Sequence, residues 1–289
     1  MNLQRVTNLP ALPPRDDDTH KGTYGRVLIV AGSRGMAGAA SLTGLGALRG
    51  GAGLVYLAVP EGVASTVSAV EPSYLTKPLA EDEDGRIAAD PREEPFTSLL
   101  DDKSALAVGP GLGQSRNVSK IVARLYEKFI GPAVFDADAL NSLAKSPKSL
   151  SKPGGPRVLT PHPGEFARLI DSDVKTVESD RENLAAKFAA ENGVILLLKG
   201  HRTIITDGKR IAVNATGNSG MATGGCGDVL TGLIAALLGQ KMKPFDAAQF
   251  GAHLHGLAGD LAAEELSKPG IIASDVAKSL AYAWKRFSS

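Results

Sequence analysis

Cysteine and aromatic residues are scarce in this sequence. Its single cysteine, Cys226, excludes an intrachain disulfide and is compatible with a reducing compartment. Aromatic residues make up 5% of the chain, and the formal net charge is +1. Nucleic-acid binding normally uses base-stacking side chains and a basic surface, and attraction to an anionic membrane needs positive charge. The composition therefore predicts neither a nucleic-acid nor a membrane partner.

Long apolar runs are also absent. No stretch reaches the roughly 18 uninterrupted apolar residues that a membrane-spanning helix needs, and the N-terminus lacks the basic start and apolar core of a signal peptide. These absences predict a cytoplasmic protein. No proline- or serine-rich linker interrupts the 289 residues, which predicts one domain over residues 1–289 with a polar lead at 1–19.

What the sequence does contain is an alternation of short aliphatic runs and helix-like segments. RVLIVAG (26–32) and VILLLKG (194–200) are typical of buried parallel strands. The Asp207-Gly208 pair predicts a hairpin over 203–214. Further strands are predicted to begin the segments 54–60, 104–113, 132–140 and 157–170. This order predicts an α/β fold with a mainly parallel sheet flanked by helices.

Two less regular parts complete the outline. The acidic segment 77–103 is interpreted as a surface connection, and the chain from Asp228 onward as mostly helical. His253 and His255 fall in that helical part and are interpreted as structural residues. Cys226 is interpreted as a small filler, because no histidine or second cysteine forms a nucleophile or metal set with it.

Polar or glycine-rich turns follow six of the predicted strands. Because ligands bind at the carboxyl ends of parallel strands, these turns predict a long cleft at one edge of the sheet. The first turn, GSRGMAG, lacks the GxGxxG spacing of a dinucleotide-binding unit. Asp136 and Asp138 are interpreted as turn and capping residues rather than metal ligands. His162, between two prolines, is either a loop histidine or a ligand contact.

The most informative turn is TGGCGD, which leads directly into an apolar helical pattern. Glycines 224, 225 and 227 allow backbone N–H groups to converge, and the helix adds its positive N-terminal end, so the turn predicts an anion site. Asp228 either caps this helix or takes the proton of an attacking hydroxyl group. The chain contains no GxxxxGK[ST] pattern, so a phosphoryl-transfer site here would be of another design.

Six motifs in order resemble those of the ADP-dependent NAD(P)H-hydrate dehydratase family, within the ribokinase-like superfamily. They are HKGTYGRVLIVAGSRGMAGAA, VGPGLG, FDADALN, LTPHPGEFARL, KGHRTIITDG and TGGCGDVLTG, and the likeness extends from about His20 to the last helix. The resemblance implies the ribokinase-like three-layer fold. It also implies an enzyme that phosphorylates the ring hydroxyl of hydrated NADH or NADPH and then eliminates phosphate, which restores the reduced cofactor.

The resemblance assigns roles residue by residue. Asp228 matches the catalytic base, and Gly225 and Gly227 match the anion hole. The positions that match the nucleotide-binding segment are Lys199, Gly200, His201, Arg202 and Thr203, with Gly227 beside them. The positions that match contacts to the hydrated cofactor are Ala40 (or Ala39, one residue earlier), Gly113 and His162, together with Asp228. Asn141 and Glu165 match residues that organise Mg²⁺ through water.

The family also implies reaction partners. The co-substrate is ADP or ATP with Mg²⁺, and members are commonly homo-oligomers. Many bacterial members carry an N-terminal epimerase domain, for which this chain is too short. The resemblance therefore implies a stand-alone dehydratase, with a separate epimerase supplying the S form of the hydrate.

Two other functions compete with this one. A ribokinase-like kinase acting on a small vitamin-precursor alcohol would share the GGxGD turn and the fold, but it would leave a stable phosphorylated product. A non-catalytic nucleotide sensor would share the cleft but would not need Asp228. The GSRGMAGAA and TPHPGE turns favour the dehydratase, and a turnover assay separates all three.

Overall fold

A ten-stranded sheet forms the centre of the protein in the computed structural model, which describes residues 3–12, 15–94 and 96–287. The strands are β1 (Gln4–Arg5), β2 (Arg26–Val30), β3 (Leu54–Pro60), β4 (Leu75–Leu79), β5 (Ala105–Val108), β6 (Ala133–Phe135), β7 (Arg157–Leu159), β8 (Ile195–Leu198), β9 (Ile204–Thr206) and β10 (Arg210–Val213). Their spatial order is β1-β10-β9-β8-β7-β6-β5-β2-β3-β4. Only β9 runs antiparallel to its neighbours, which confirms the predicted mainly parallel sheet and its hairpin.

Helices cover both faces of the sheet. They are α1 (Ala37–Arg49), α2 (Glu61–Val70), α3 (Arg116–Lys128), α4 (Asp138–Ala144), α5 (Pro147–Leu150), α6 (Pro163–Leu169), α7 (Val174–Ser179), α8 (Arg181–Asn192), α9 (Cys226–Gly239), α10 (Pro244–Leu266) and α11 (Ala273–Trp284). One buried apolar cluster joins the sheet to α1, α2, α9, α10 and α11, and a second joins its other face to α3, α4, α6 and α8. The described residues therefore form the expected three layers. Among the same residues, no helix is long and apolar enough to cross a membrane.

Helix α9 owes its position to close packing against α1. A Cβ atom at Gly232 would overlap the carbonyl oxygen of Thr43, and one at Gly46 would overlap that of Val229. The two helices can approach this closely because both crossing points lack side chains. This contact fixes where α9 begins, and therefore where the TGGCGD turn lies.

Two polar segments contribute more to the sheet than the sequence indicated. The segment 77–103 was expected to be a surface connection, but its first residues belong to the parallel edge strand β4, and its Ile87 and Phe96 are almost fully buried. The 1–19 lead contains β1, which pairs with β10. Both strands lie at sheet edges, where one side of a strand needs no partner and charged residues and proline are tolerated.

Candidate active site

The predicted anion site lies at the N-terminus of α9. Gly225 is the N-cap residue in a left-handed conformation (φ 93°), and a Cβ atom there would lie 2.5 Å from Leu42 Cδ1 and 2.9 Å from Ala273 Cβ. The position therefore needs glycine for both backbone and steric reasons. Gly227 follows in the first helical turn, where a Cβ atom would lie 3.3 Å from Lys199 Nζ. The turn thus brings the open backbone next to a cationic side chain.

Asp228 is a carboxylate in the first turn of α9 that caps nothing. The N-cap position belongs to Gly225, and among the described residues the Asp228 side chain has no hydrogen-bond partner. Burial raises the pKa of Asp228 to about 7, and the negative charge of Asp136 adds to this shift against the opposing charge of Lys199. A carboxyl group with a pKa near 7 is well suited to accept a proton at neutral pH.

The partly buried Lys199 and the buried Asp136 form an ion pair beside this turn. Lys199 Nζ lies 2.8 Å from Asp136 Oδ1 and 3.9 Å from Glu165 Oε2. Burial alone would lower the pKa of Lys199, but the two carboxylates outweigh it and hold the pKa above its usual value. Thr231 Oγ1 donates to the other Asp136 oxygen at 2.8 Å. Asp136, interpreted from the sequence as a turn or capping residue, is therefore a buried centre of the site.

The Lys199–Thr203 segment connects β8 to β9 and is held from behind by α8. Gly200 has φ 138° and Arg202 has φ 57°, both in the left-handed half of the backbone map. Arg181 donates to the carbonyl oxygens of Lys199 and His201 at 3.2 and 2.8 Å. The irregular backbone is thus fixed by a side chain outside the segment, which leaves the front of the segment open.

A cleft of about 810 Å³ lies in front of this segment. It extends from His162 and Lys199 past Gly227 to the loop after β10 and one face of α10. His162 is the N-cap of α6, where its Nδ1 accepts from the Gly164 N–H at 3.1 Å while about half of the side chain remains exposed. The structural and ligand-binding interpretations of His162 are therefore compatible. The capping hydrogen bond fixes the orientation of the imidazole, and the exposed part of the side chain faces the cleft.

Ala40 and Gly113 follow β2 and β5, on the far side of β6 from the Lys199–Thr203 segment. Gly113 has φ 70°, and its N–H donates to Asp138 Oδ2 at 2.8 Å. Ala40 is fully buried, and its Cβ would lie 3.2 Å from a Cβ built at Gly32. Neither residue lines the cleft described above. The predicted site residues therefore fall into two groups, with the start of α9 between them.

The sheet order sets the distance between these groups. From β8 to β2 there are four strand spacings of about 4.8 Å, or about 19 Å in total. Asp136 follows β6, midway between the two groups, and its bonds to Lys199 and to Thr231 of α9 bring the Lys199 side chain and the first part of α9 to this point.

The two predicted Mg²⁺ residues do not form a direct cation site. Asn141 Oδ1 accepts from Arg168 Nε at 2.9 Å, and Glu165 Oε2 accepts from the backbone N–H of His162 at 2.9 Å. Within the described parts of the chain, no group of three or more His, Cys, Asp or Glu residues is placed to hold a metal ion. Water-mediated contact to a cation remains a prediction for both residues.

The comparison with protein families agrees with this geometry. The family model described as NAD(P)H-hydrate dehydratase matches residues 27–281. The chain belongs to the NAD(P)H-hydrate dehydratase family. This dehydratase-family chain is 46% identical over 273 residues to the bifunctional NAD(P)H-hydrate repair enzyme Nnr of Moorella thermoacetica, covering 94% of this chain and 51% of the relative.

Other relatives match over their full length. The ADP-dependent (S)-NAD(P)H-hydrate dehydratase of Bacillus subtilis is 37% identical, with 96% of this chain and 95% of the relative covered. A crystal structure of the ADP/ATP-dependent NAD(P)H-hydrate dehydratase from Bacillus subtilis, co-crystallised with ATP and Mg²⁺, superimposes with a TM-score of 0.81 at 34% identity, covering 96% of this chain and 95% of that one.

A third comparison concerns the fold alone. A ribokinase-like superfamily protein from Enterococcus faecalis superimposes with a TM-score of 0.82 at 24% identity, covering 99% of this dehydratase-family chain and 96% of the other. The ribokinase-like fold is therefore confirmed. The chain spans about half the length of the bifunctional relatives it matches.

Proposed function

We propose that this protein restores hydrated NADH or NADPH by nucleotide-dependent dehydration. The observation that carries the proposal is the Asp228 carboxyl group, which makes no capping hydrogen bond and has its pKa raised to about 7 beside an anion-binding turn. A helix cap does not require this environment, whereas a base that deprotonates a hydroxyl group does. Relatives named as ADP-dependent or bifunctional hydrate-repair enzymes support the same substrate class.

In the first step, the hydroxyl oxygen of the hydrated ring attacks the terminal phosphoryl group of ADP or ATP. Asp228 takes the hydroxyl proton, and the nucleotide leaves shortened by one phosphate. The backbone N–H groups around Gly225 and Gly227, with Lys199 beside them, stabilise the negative charge on the phosphoryl group in flight. Asp136 holds Lys199 in place for this role.

In the second step, phosphate leaves the ring with the electrons of its C–O bond. The ring nitrogen supplies an electron pair, and loss of a proton from the adjacent carbon restores the double bond. Phosphorylation is needed because hydroxide is a poor leaving group. This chemistry requires positioning and charge stabilisation rather than a covalent nucleophile. Cys226 fits that requirement, since burial raises the pKa of its thiol to about 11 and keeps it protonated.

We further propose how the two ligands divide the site. The Lys199–Thr203 segment and Gly227 bind the nucleotide phosphates. The turns after β2 and β5, which include Gly113 and pack against the buried Ala40 (or Ala39), bind the hydrated cofactor together with His162 from the other side. Mg²⁺, when bound with the nucleotide phosphates, would supply positive charge to them, and Asn141 and Glu165 would hold it through water. The protein is expected to be a homo-oligomer that acts on the S form of the hydrate, which an epimerase supplies.

The decisive experiment is a repair assay with purified NADH hydrate, Mg²⁺ and either ADP or ATP. We expect the absorbance of the reduced nicotinamide ring to return, with one nucleotide phosphate released as inorganic phosphate for each ring restored. A stable phosphorylated product from a vitamin-precursor alcohol, without restored absorbance, would instead identify the kinase. Nucleotide binding without turnover of any of these compounds would identify a sensor.

A further inference from the structure

His255 in α10 is a buried histidine for which the proposed mechanism has no use. His255 is 7% exposed, and its Nε2 atom is buried without a hydrogen-bond partner among the described residues. Buried polar atoms in proteins nearly always have a partner, so this one needs an explanation. The other buried side-chain atoms in the same condition belong to Ser142 and Arg181, and neither residue lines the main cleft, whereas His255 does.

The imidazole lies near the phosphate-binding end of that cleft. It contacts the backbone of Cys226, the first residue of α9, which directly follows the N-cap Gly225. Ala252 and Gly256, one turn before and one residue after His255, line the same cleft. His255 is therefore placed between the glycine turn on one side and the loop after β10 on the other.

The backbone around His255 is held rigidly. Thr216 Oγ1 donates to the carbonyl oxygen of His253 at 2.8 Å, and Asn214 Nδ2 donates to that of Ala252 at 3.2 Å. A Cβ atom at Gly256 would overlap Thr216, so helix and loop are in direct contact there. This support fixes the direction of the imidazole before any ligand arrives, which is how binding residues are preorganised.

The imidazole is also neutral at physiological pH. Burial lowers the pKa of His255 to about 4, and the nearby charge of Lys199 acts in the same direction. A neutral imidazole has one donor and one acceptor nitrogen. Protonated at Nε2, it can donate to a phosphate or hydroxyl oxygen, and in the other tautomer Nε2 can accept from a hydroxyl group. Neither bond introduces a charge into the cleft.

We propose that His255 is a further nucleotide-binding residue whose Nε2 atom hydrogen-bonds an oxygen of the sugar–phosphate part of the bound nucleotide. This inference rests on the proposed function, because it assumes that the cleft accepts ADP or ATP. The oxygen is either a ribose hydroxyl or a phosphate oxygen, and both occur in the part of a nucleotide that would pass from the glycine turn toward the loop after β10.

The test compares His255→Leu and His255→Gln with wild type by calorimetric titration of ADP. One hydrogen bond corresponds to roughly five- to tenfold in affinity, so we expect the leucine variant to bind ADP about that much more weakly. Glutamine restores a polar group and should recover part of the loss. The KM for nucleotide should rise in the leucine variant while the KM for the hydrated cofactor stays within about twofold. Repeating the titration with 2′-deoxy- and 3′-deoxy-ADP assigns the oxygen: the penalty disappears for a ribose contact and persists for a phosphate contact.

His253→Gln is the matched control. His253 lies two residues away on the same helix, packs against Phe287 and does not line the cleft, so its replacement should leave ADP affinity unchanged. Equal ADP affinity in wild type and both His255 variants would overturn the inference, as would an equal loss in leucine and glutamine variants that unfold at lower temperature. Wild-type protein that binds no ADP would instead refute the proposed function. If His255→Leu does not fold, the glutamine variant and the deoxynucleotides still give the answer.

Discussion

At the scale of single residues, the site is distinguished by one carboxylate, Asp228, that lacks, among the residues the structure describes, the hydrogen-bond partners which buried carboxylates usually have. Asp136 accepts from Lys199 and Thr231, and Glu165 accepts from His162, while the side chain of Asp228 accepts from none of the described residues. Burial without a partner keeps its pKa near 7. In the proposed mechanism these two neighbours serve as structural acceptors, and Asp228 is the carboxylate left to take the substrate proton.

Replacing Asp228 with asparagine tests this distinction. The amide keeps the shape of the side chain but cannot accept the hydroxyl proton. We expect Asp228→Asn to remain folded, to bind nucleotide through the glycine turn, and to lose at least about a hundredfold in kcat. Asp246→Asn is the control, because Asp246 also lies in the first turn of a helix, α10, away from the site. A variant that retains most of its kcat would remove Asp228 from the mechanism.

Asp136 gives a second prediction, on pH dependence. Asp228 must be deprotonated to act, so kcat/KM of the wild type should fall as the pH drops below about 7. The negative charge of Asp136 raises that pKa, and its removal also frees Lys199 to lower it. Both effects lower the pKa of Asp228, so in Asp136→Asn the fall of kcat/KM on the acid side (the acid limb) should move to lower pH. The maximum rate should also decrease. An acid limb that stays in place or moves upward would contradict this account. The profile is measured as kcat/KM for the hydrated cofactor between pH 5 and 9.

The Lys199–Asp136 ion pair is an example of a contact that could not be predicted from the sequence. The two residues follow β8 and β6, which are separated by β7, and their contact depends on that spatial order. A lysine at a buried strand end needs an anionic partner, but nothing in the sequence pattern shows that the chain itself supplies one. The position of Asp228 in the first turn of α9, by contrast, was predictable, because the glycine turn and the helix are contiguous in sequence.

At the scale of secondary-structure elements, the turn before α9 is the part most sensitive to backbone change. Gly225 is left-handed and has Leu42 and Ala273 against the position of a Cβ atom, whereas a Cβ atom at Gly224 would meet nothing within 4 Å. We expect Gly225→Ala to destabilise the protein by about 1–2 kcal/mol or more, and to lower kcat because the N–H groups shift. Gly224→Ala is the neighbouring control and should have little effect on either. Chemical denaturation and steady-state kinetics measure the two quantities, and equal effects of both substitutions would contradict the assigned geometry.

Most of the elements themselves were predictable, for reasons that differ along the chain. Strands such as β2 and β8 are continuous aliphatic runs because helices cover both faces of the sheet. The Asp207-Gly208 pair predicts the turn between β9 and β10. The edge strands β1 and β4 were missed because they are short or carry lysine and proline, as in LTKPL. Their pairing depends on a neighbouring strand rather than on their own pattern.

At the scale of the whole molecule, the buried carboxylate of Asp228, which we propose as the base, should lower the stability of the fold. The folded state raises the pKa of Asp228 from 3.8 to about 7, so between these values the folded protein holds a proton that the unfolded chain releases. The free energy of unfolding therefore loses a contribution as the pH rises from about 4 through 7, and above 7 the full penalty of the ionised group is present. Asparagine at this position carries no such penalty.

We therefore expect Asp228→Asn to be more stable than wild type at pH 8, with an advantage that shrinks toward pH 4–5. Other carboxyl groups with lowered pKa values, including Asp207 and Glu165, act in the opposite sense, so total stability against pH does not isolate the effect. The difference in the free energy of unfolding between wild type and Asp228→Asn isolates the effect, because both proteins contain the other carboxyl groups. Urea denaturation at several pH values measures it. A difference that is independent of pH would mean that Asp228 titrates in the folded protein as it does in the unfolded chain, and the same result would remove the basis for its role as the base.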